Sequence, residues 1–216
     1  MLKKIDELPF VNERNAFLLL VAMHTAGIIG LSIESTKSLF QMLTPFNLLA
    51  TAAILLHFEK NKTPRYFIFI LATFVLGYGF EVFGVHTGLL FGEYAYGATL
   101  GFKVFEVPLV IGLNWVVLIY ITRGVAEKIF SKEIFTILFS SILMVLLDLL
   151  IEPVAIKLDF WQWSSDNIPL QNYLGWFLLS VLIQYVGFKI LPALNNKLCL
   201  RLLLIQFVFF LVLNLF

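Results

Sequence analysis

Long apolar runs separated by short polar segments dominate the chain. Seven runs are long enough for helices: about 16–33, 39–58, 65–84, 106–122, 133–151, 171–190 and 199–215. Because a membrane span needs about 20 apolar residues, the pattern predicts an all-α, polytopic transmembrane helical bundle of about seven spans. Thr44-Pro45 is typical of a helix start, so the second span is expected to begin a turn late. The first run is too long for a signal-peptide core and is expected to be a span rather than a removed leader.

The composition agrees with a membrane protein. The chain is 60 % hydrophobic and 13 % charged over 216 residues, whereas a soluble domain carries about 25 % charged residues. We therefore expect residues 1–216 to form one integral membrane domain, in the bacterial inner membrane. The sequence has no basic run or phosphate-binding loop that would indicate nucleic acid or nucleotide, and the single Cys199 provides no disulfide. Oligomeric partners are not predicted.

The basic residues predict the orientation of the bundle. With seven spans, twelve of them share one side and three the other. The twelve are Lys3, Lys4, Arg14, Lys60, Lys62, Arg65, Arg123, Lys128, Lys132, Lys189, Lys197 and Arg201, and the three are Lys37, Lys103 and Lys157. Because positive charge is enriched in cytoplasmic loops, the N-terminus is expected in the cytoplasm.

Two acids near the outer end of the fifth span are the sharpest candidates for catalysis. Asp148 and Glu152 are four residues apart, so they share one helix face, and Pro153 is expected to stop the helix just after them. Two half-buried carboxylates repel each other and lose hydration, which favours a protonated acid at neutral pH. Such an acid can protonate a weakly basic carbon. The alternative is a helix end whose acids meet interfacial water.

Residues 77–101 form a glycine-rich segment with two more candidate acids. The segment holds seven of the thirteen glycines, and irregular backbone at membrane depth points to a protein cavity. Glu81 lies near the outer end of the third span, at the depth of the other acids; an ion pair with Lys103 is its structural alternative. Glu93 lies in the connecting segment, where it is a further catalytic candidate or a solvated residue.

Several aromatic and polar residues are candidates for substrate contact. Aromatic faces stabilise a desolvated cation by about 2 kcal/mol or more each. The candidates near the acids are Tyr78, His86, Thr87, Tyr94, Tyr96, Trp161 and Trp163, with Asn114 and Trp115 deeper in the fourth span. Interhelical hydrogen bonding is the alternative for Asn114. Three scattered histidines do not predict a metal centre, and a single metal held by His86 and nearby carboxylates is the weaker alternative.

The segment GYGFEVFGVHTGLLFGEYAYGATLG, the VP at 107–108, and the D-x-x-x-E-P run followed by Trp161-x-Trp163 resemble the membrane-bound carotenoid biosynthesis family. This family includes bisanhydrobacterioruberin hydratase and γ-carotene 1′-hydratase. The resemblance covers roughly residues 70–165. By position, the functional residues that it implies are Glu81, Thr87, Glu93, Tyr94, Tyr96, Asp148, Glu152, Trp161 and Trp163. The family more often has Asp where Glu152 stands and Pro where Phe102 stands.

The resemblance implies an enzyme that needs no cofactor, a hydro-lyase that adds water across the terminal double bond of an acyclic carotenoid end. The expected partners are the carotenoid and the lipid bilayer. Two alternatives stay open. Cyclisation or isomerisation of the same isoprenoid end requires the same proton donor in a dry pocket. A non-catalytic carotenoid-binding protein or carrier would leave its cargo unchanged.

Overall fold

A computed structural model describes residues 12–165 and 167–216. Lys3 and Lys4, two of the basic residues that predict the orientation, lie outside the described residues. The elements are α1 (Glu13–Ser32), α2 (Glu34–His57), α3 (Pro64–Thr87), β1 (Tyr94–Tyr96), β2 (Lys103–Val104), β3 (Val107–Pro108), α4 (Leu109–Ala126), α5 (Glu133–Lys157), β4 (Trp161–Trp163), α6 (Leu170–Ile190) and α7 (Leu198–Asn214). The predicted helical bundle is confirmed. Within the described part, six helices are long and apolar enough to cross a membrane, and α7 is shorter, with 17 residues.

The fourth helix lies at the centre of the bundle. Every residue of α4 from Trp115 to Ala126 is buried, as expected for a helix that is apolar on all sides. Helices α2, α3, α5 and α7 pack directly against it. Arg123, which the charge argument assigns to a loop, lies within α4 and is fully buried.

The chain alternates between two ends of the bundle. All four strands lie in the loops that follow α3 and α5, so we call this end the strand end and the other the opposite end. The loops after α2, α4 and α6 lie at the opposite end and carry Lys60, Lys62, Lys128, Lys132 and Lys197. Which end faces the cytoplasm stays a prediction from those charges.

The two helix boundaries predicted at proline are wrong. Helix α2 begins at Glu34 and continues through Pro45, and α5 continues through Pro153 to Lys157. A proline removes one backbone hydrogen bond, and membrane helices tolerate this because neighbouring groups satisfy the freed carbonyl. Glu152 therefore lies inside α5, with more than a turn of helix beyond it.

The fourth helix also begins later than its apolar run, at Leu109. The preceding residues form a hairpin of β2 and β3, in which Lys103 pairs with Pro108. Phe105 and Glu106 make its two-residue turn, with φ of 49° and 65°. Positive φ at both central positions is the geometry of a tight hairpin turn. Glu106 is therefore an exposed turn residue rather than part of the helix.

Candidate active site

A two-stranded sheet closes the strand end of the bundle. Strand β1 pairs with β4 in antiparallel register, with Tyr94 opposite Trp163 and Tyr96 opposite Trp161. Because side chains alternate along a strand, these four rings point to one face. That face is the inner one, and the residues between them are exposed. The sheet thus brings together four aromatic side chains from two distant segments.

A glycine allows the two segments to lie so close. The backbone N–H of Gly97 donates to the carbonyl of Phe160 at 2.9 Å, which extends the pairing beyond β1. A Cβ on Gly97 would lie 2.2 Å from the carbonyl oxygen of Asp159. Any side chain at this position would therefore push the segments apart.

Glu81 is a buried carboxyl group surrounded by hydrogen-bond donors. The hydroxyls of Tyr94 and Tyr96 donate to its Oε2 at 2.5 and 2.7 Å, and the indole N–H of Trp115 donates to Oε1 at 2.9 Å. Among the described residues, the ion pairs include no contact to Glu81. Its burial is therefore compensated by neutral donors rather than by a cation.

The two tyrosines that contact Glu81 keep their protons. Both lie in β1, and their burial raises the pKa of Tyr94 and Tyr96 well above the usual value for tyrosine. Their hydroxyls thus stay available as hydrogen-bond donors at any physiological pH.

Glu152 on α5 has a second set of donors. The indole N–H groups of Trp161 and Trp163 donate to its Oε2 at 3.1 and 2.9 Å, and the amide of Asn172 donates to Oε1 at 2.9 Å. Indole and amide N–H groups only donate. The surroundings of Glu152 therefore suit an ionised carboxylate that accepts all three hydrogen bonds.

Asp148 lies one turn before Glu152 and is joined to it through Asn172. The amide nitrogen of Asn172 also donates to Oδ2 of Asp148, at 3.0 Å. Oδ1 of Asp148 is buried and has no hydrogen-bond partner among the described residues. A single amide thus holds two acids together, and one of their four oxygens is free to carry a proton.

The two sets of donors enclose a small cavity of about 20 Å³. Its walls are Glu81, Phe91, Tyr94, Tyr96, Ile111, Asn114, Trp115, Glu152, Trp161, Trp163, Asn172 and Trp176. A cavity needs about 10–15 Å³ to hold a water molecule, so there is room for roughly one. Asp148 does not line this cavity.

Aromatic rings cover much of the cavity wall. The rings of Trp115 and Trp176 stack at a centroid distance of 4.5 Å, and Tyr94 lies 5.2 Å from Trp163. Faces of this kind attract a positive charge, most strongly where water is excluded.

A larger apolar groove of about 290 Å³ adjoins the cavity. The two share Ile111, Asn114 and Trp161 as common walls. The rest of the groove is lined mainly by α1, α2 and α7, including Leu43, Phe46 and Phe209. Asn114 lies at the junction, and no hydrogen bond joins its side chain to another described residue. A hydrocarbon chain in the groove can therefore extend to the wall that the groove shares with the cavity lined by Glu81 and Glu152.

The other predicted site residues lie away from the cavity. Tyr78 donates to the carbonyls of Val104 and Val107 at 2.7 and 3.2 Å and so holds the hairpin of β2 and β3. His86 and Thr87 are exposed at the end of α3 and bond to carbonyls of their own helix. Glu93 is exposed just before β1.

Sequence reasoning missed four residues of the cavity wall: Phe91, Ile111, Asn172 and Trp176. Asn172 was the most informative omission, because a buried amide near the start of an apolar run signals a partner on another helix. Within the described chain, no three His, Cys, Asp or Glu side chains come together as a metal-binding group. Nε2 of His86 instead lies 3.9 Å from Oε2 of the exposed Glu106.

Comparison with known proteins places the chain in a family. Residues 42–216 match the family model of carotenoid biosynthesis proteins. The chain is also 30 % identical to the bisanhydrobacterioruberin hydratase of Haloarcula japonica over 135 residues, which are 55 % of this chain and 44 % of that protein. The match thus spans less than half of the relative's length. No solved structure matches the chain. Because the family model matches well over half of the chain, including both donor sets and the cavity between them, the protein belongs to the carotenoid biosynthesis family.

Proposed function

We propose that this protein adds water to the terminal C=C bond of an acyclic carotenoid end. Membership of the carotenoid biosynthesis family supports a carotenoid-modifying role, and a relative named as a hydratase favours an enzyme. The observation that carries the proposal is the cavity itself. Two carboxyl groups, Glu81 and Glu152, face the same small space but have hydrogen-bond donors of different kinds.

Glu81 is the proposed proton donor. Two of its three partners are hydroxyl groups, which accept as well as donate. A protonated Glu81 can therefore donate to Tyr94 or Tyr96 without losing its contacts. Glu152 has only N–H partners, so a proton on Oε2 would break hydrogen bonds to Trp161 and Trp163. Asp148, the other sequence-based candidate, reaches the cavity only through Asn172.

The reaction follows from these two roles. Glu81 gives its proton to the less substituted alkene carbon, and the π electrons form the new C–H bond. The resulting tertiary cation lies among the rings of Trp115, Trp176 and the sheet. A water molecule attacks the cation and releases a proton to Glu152, which completes the addition of H and OH. After product release, exchange with solvent removes the proton from Glu152 and returns one to Glu81, which restores the starting state.

The cavity supports hydration rather than cyclisation. It has room for about one water, and in our proposal the alkene end lies beside this water, at the wall that the cavity shares with the groove. Glu152, Asn172 and the unpartnered amide of Asn114 supply polar groups that can hold this water. Cyclisation would be favoured by a wall without such groups. From the distribution of basic residues we also propose that this end of the bundle faces away from the cytoplasm.

Expression in a host that makes an acyclic carotene tests the function. We expect a pigment heavier by one water, and none from a Glu81→Gln variant that accumulates normally in the membrane. Glu106→Gln is the matched control, because this exposed hairpin residue lies outside the cavity. An isomer of unchanged mass would indicate cyclisation, unchanged pigment would indicate a carrier, and hydration by Glu81→Gln would overturn the assigned acid.

A further inference from the structure

The apolar groove has features that the reaction alone does not require. It is built mainly from α1, α2 and α7, whereas both acids and the sheet belong to α3, α5 and the loops that follow them. None of the functional residues that the family resemblance implies lies in α1, α2 or α7. We therefore ask what ligand a groove formed by these three helices would bind.

The chemistry of the groove indicates a hydrocarbon ligand. Its two buried polar side chains from α1 and α7 pair with each other: Nε2 of His24 lies 3.3 Å from Nε2 of Gln206. The other ring nitrogen of His24 lies 2.8 Å from the carbonyl of Leu20. Because these groups are already paired, most of the surface offered to a ligand is apolar.

The groove is also short and opens sideways. Its lining runs from Met23 to Leu31 on α1 and from Phe40 to Leu48 on α2, about 12 Å along each helix at ~1.5 Å per residue. A carotenoid is about as long as the ~30 Å hydrocarbon layer. Phe46, on the rim, is 64 % exposed on the outer surface of the bundle, where lipid lies in a membrane.

We propose that this groove is a lateral entry site that holds only the terminal isoprene units of one acyclic carotenoid end, while the rest of the polyene stays in the bilayer. The inference rests on the proposed function for its ligand and extends it to the path of entry. The position of the groove directly beside the catalytic cavity, with Ile111, Asn114 and Trp161 as shared walls, carries it. A substrate with two identical ends is then processed in two separate binding events.

Two neighbouring leucines on α2 provide a matched test. Leu48 lines the groove, and Leu49 is 52 % exposed on the outer surface. In Leu48→Trp the larger ring fills the groove, so we expect at least a tenfold loss of both carotene bound to the purified protein and hydrated product. Leu49→Trp should bind and convert as the wild type does.

The two readouts separate this inference from the proposed function. Binding and conversion by Leu48→Trp that equal those of Leu49→Trp would overturn the groove as entry site, even if hydration is real. Loss of binding in Leu48→Trp alone, with no hydrated product from any variant, would support the groove and reject hydration. In a time course with a two-ended substrate, the singly hydrated product should appear first; direct formation of the doubly hydrated product would contradict separate binding.

Discussion

Both ends of the bundle bury ionisable groups, but they compensate them in different ways. At the opposite end, Arg123 donates to Glu127 at 2.7 Å and to the carbonyl of Leu191, and it lies 3.9 Å from the ring centre of Phe188. At the strand end, Glu81 and Glu152 have only neutral donors and face a cavity.

Glu59 extends the contrast. It accepts hydrogen bonds from the hydroxyl of Tyr120 and from the backbone N–H groups of Asn61 and Asn195. These contacts tie the loops after α2 and α6 to the central helix. The comparison indicates that charges at the opposite end fix the fold, while the carboxyl groups at the strand end face a cavity, as the proposed reaction requires.

The largest expected effect is on catalysis at the strand end. Glu81→Gln keeps the size of the side chain but removes the transferable proton, so we expect turnover to fall by about 10²–10⁴-fold. The thermal midpoint should change little, because Trp115 and the tyrosines can still bond to the amide. Turnover per folded protein and the midpoint in detergent are the two measurements. Equal turnover by the variant and the wild type would contradict a catalytic role for Glu81, and with it the proposed difference between the two ends.

The opposite end should respond in stability instead. Arg123→Met leaves Glu127 without its cation, and breaking a buried pair costs about 3–5 kcal/mol. The exposed pair of Lys189 and Glu133 is the control, since Lys189→Met should cost about 1 kcal/mol or less. Denaturant titration measures both. A strong loss of turnover per folded Arg123→Met protein, with unchanged stability, would contradict a structural role.

The donors to Glu152 should have a smaller effect. Trp163→Phe keeps an aromatic ring but removes one N–H, and a hydrogen bond to a charged group is worth about 1.5–3 kcal/mol. We expect turnover to fall roughly 10- to 100-fold if this stabilisation is needed in the transition state. Trp163→Leu removes the ring as well and should be slower still. Equal rates for the Phe variant and wild type would show that the indole N–H is dispensable.

The smallest expected effect is a change in alkaline stability. Tyrosine ionises near pH ~10 in an unfolded chain, and the pKa of Tyr94 and Tyr96 is raised in the folded protein. The folded state therefore holds these protons more tightly, so their contribution to stability is complete below about pH 10 and is lost progressively above it. A double Tyr94→Phe, Tyr96→Phe variant should lose stability less steeply above that pH. The same dependence of stability on pH in the variant and the wild type would contradict the raised pKa of the two tyrosines.

Helices and acids could be predicted from the sequence because their signals are local. The apolar runs gave the helices, and the spacing of Asp148 and Glu152 placed both on one face of α5. The sheet was missed because its strands have three residues each and pair Tyr94 with Trp163 across a long stretch of chain. Asn172 was missed for the same reason, since its partners are 20 and 24 residues away.

Residues near the acids in sequence were harder to place. Glu93 precedes β1, so it has the same parity as Ala95 and points away from the inward-facing tyrosines. His86 is five residues after Glu81, and at ~100° per residue this turns it to another face of α3. The prolines misled because Pro45 does not begin its helix and Pro153 does not end its own.

The central claim is most directly tested with isotopic water. Purified wild-type protein would be given an acyclic carotene in water enriched in oxygen-18, and the pigment would be analysed by mass spectrometry. We predict a product that has gained one water and carries the heavy oxygen, with none from Glu81→Gln. Pigment that is unchanged, or rearranged without added oxygen, would contradict the proposed hydration.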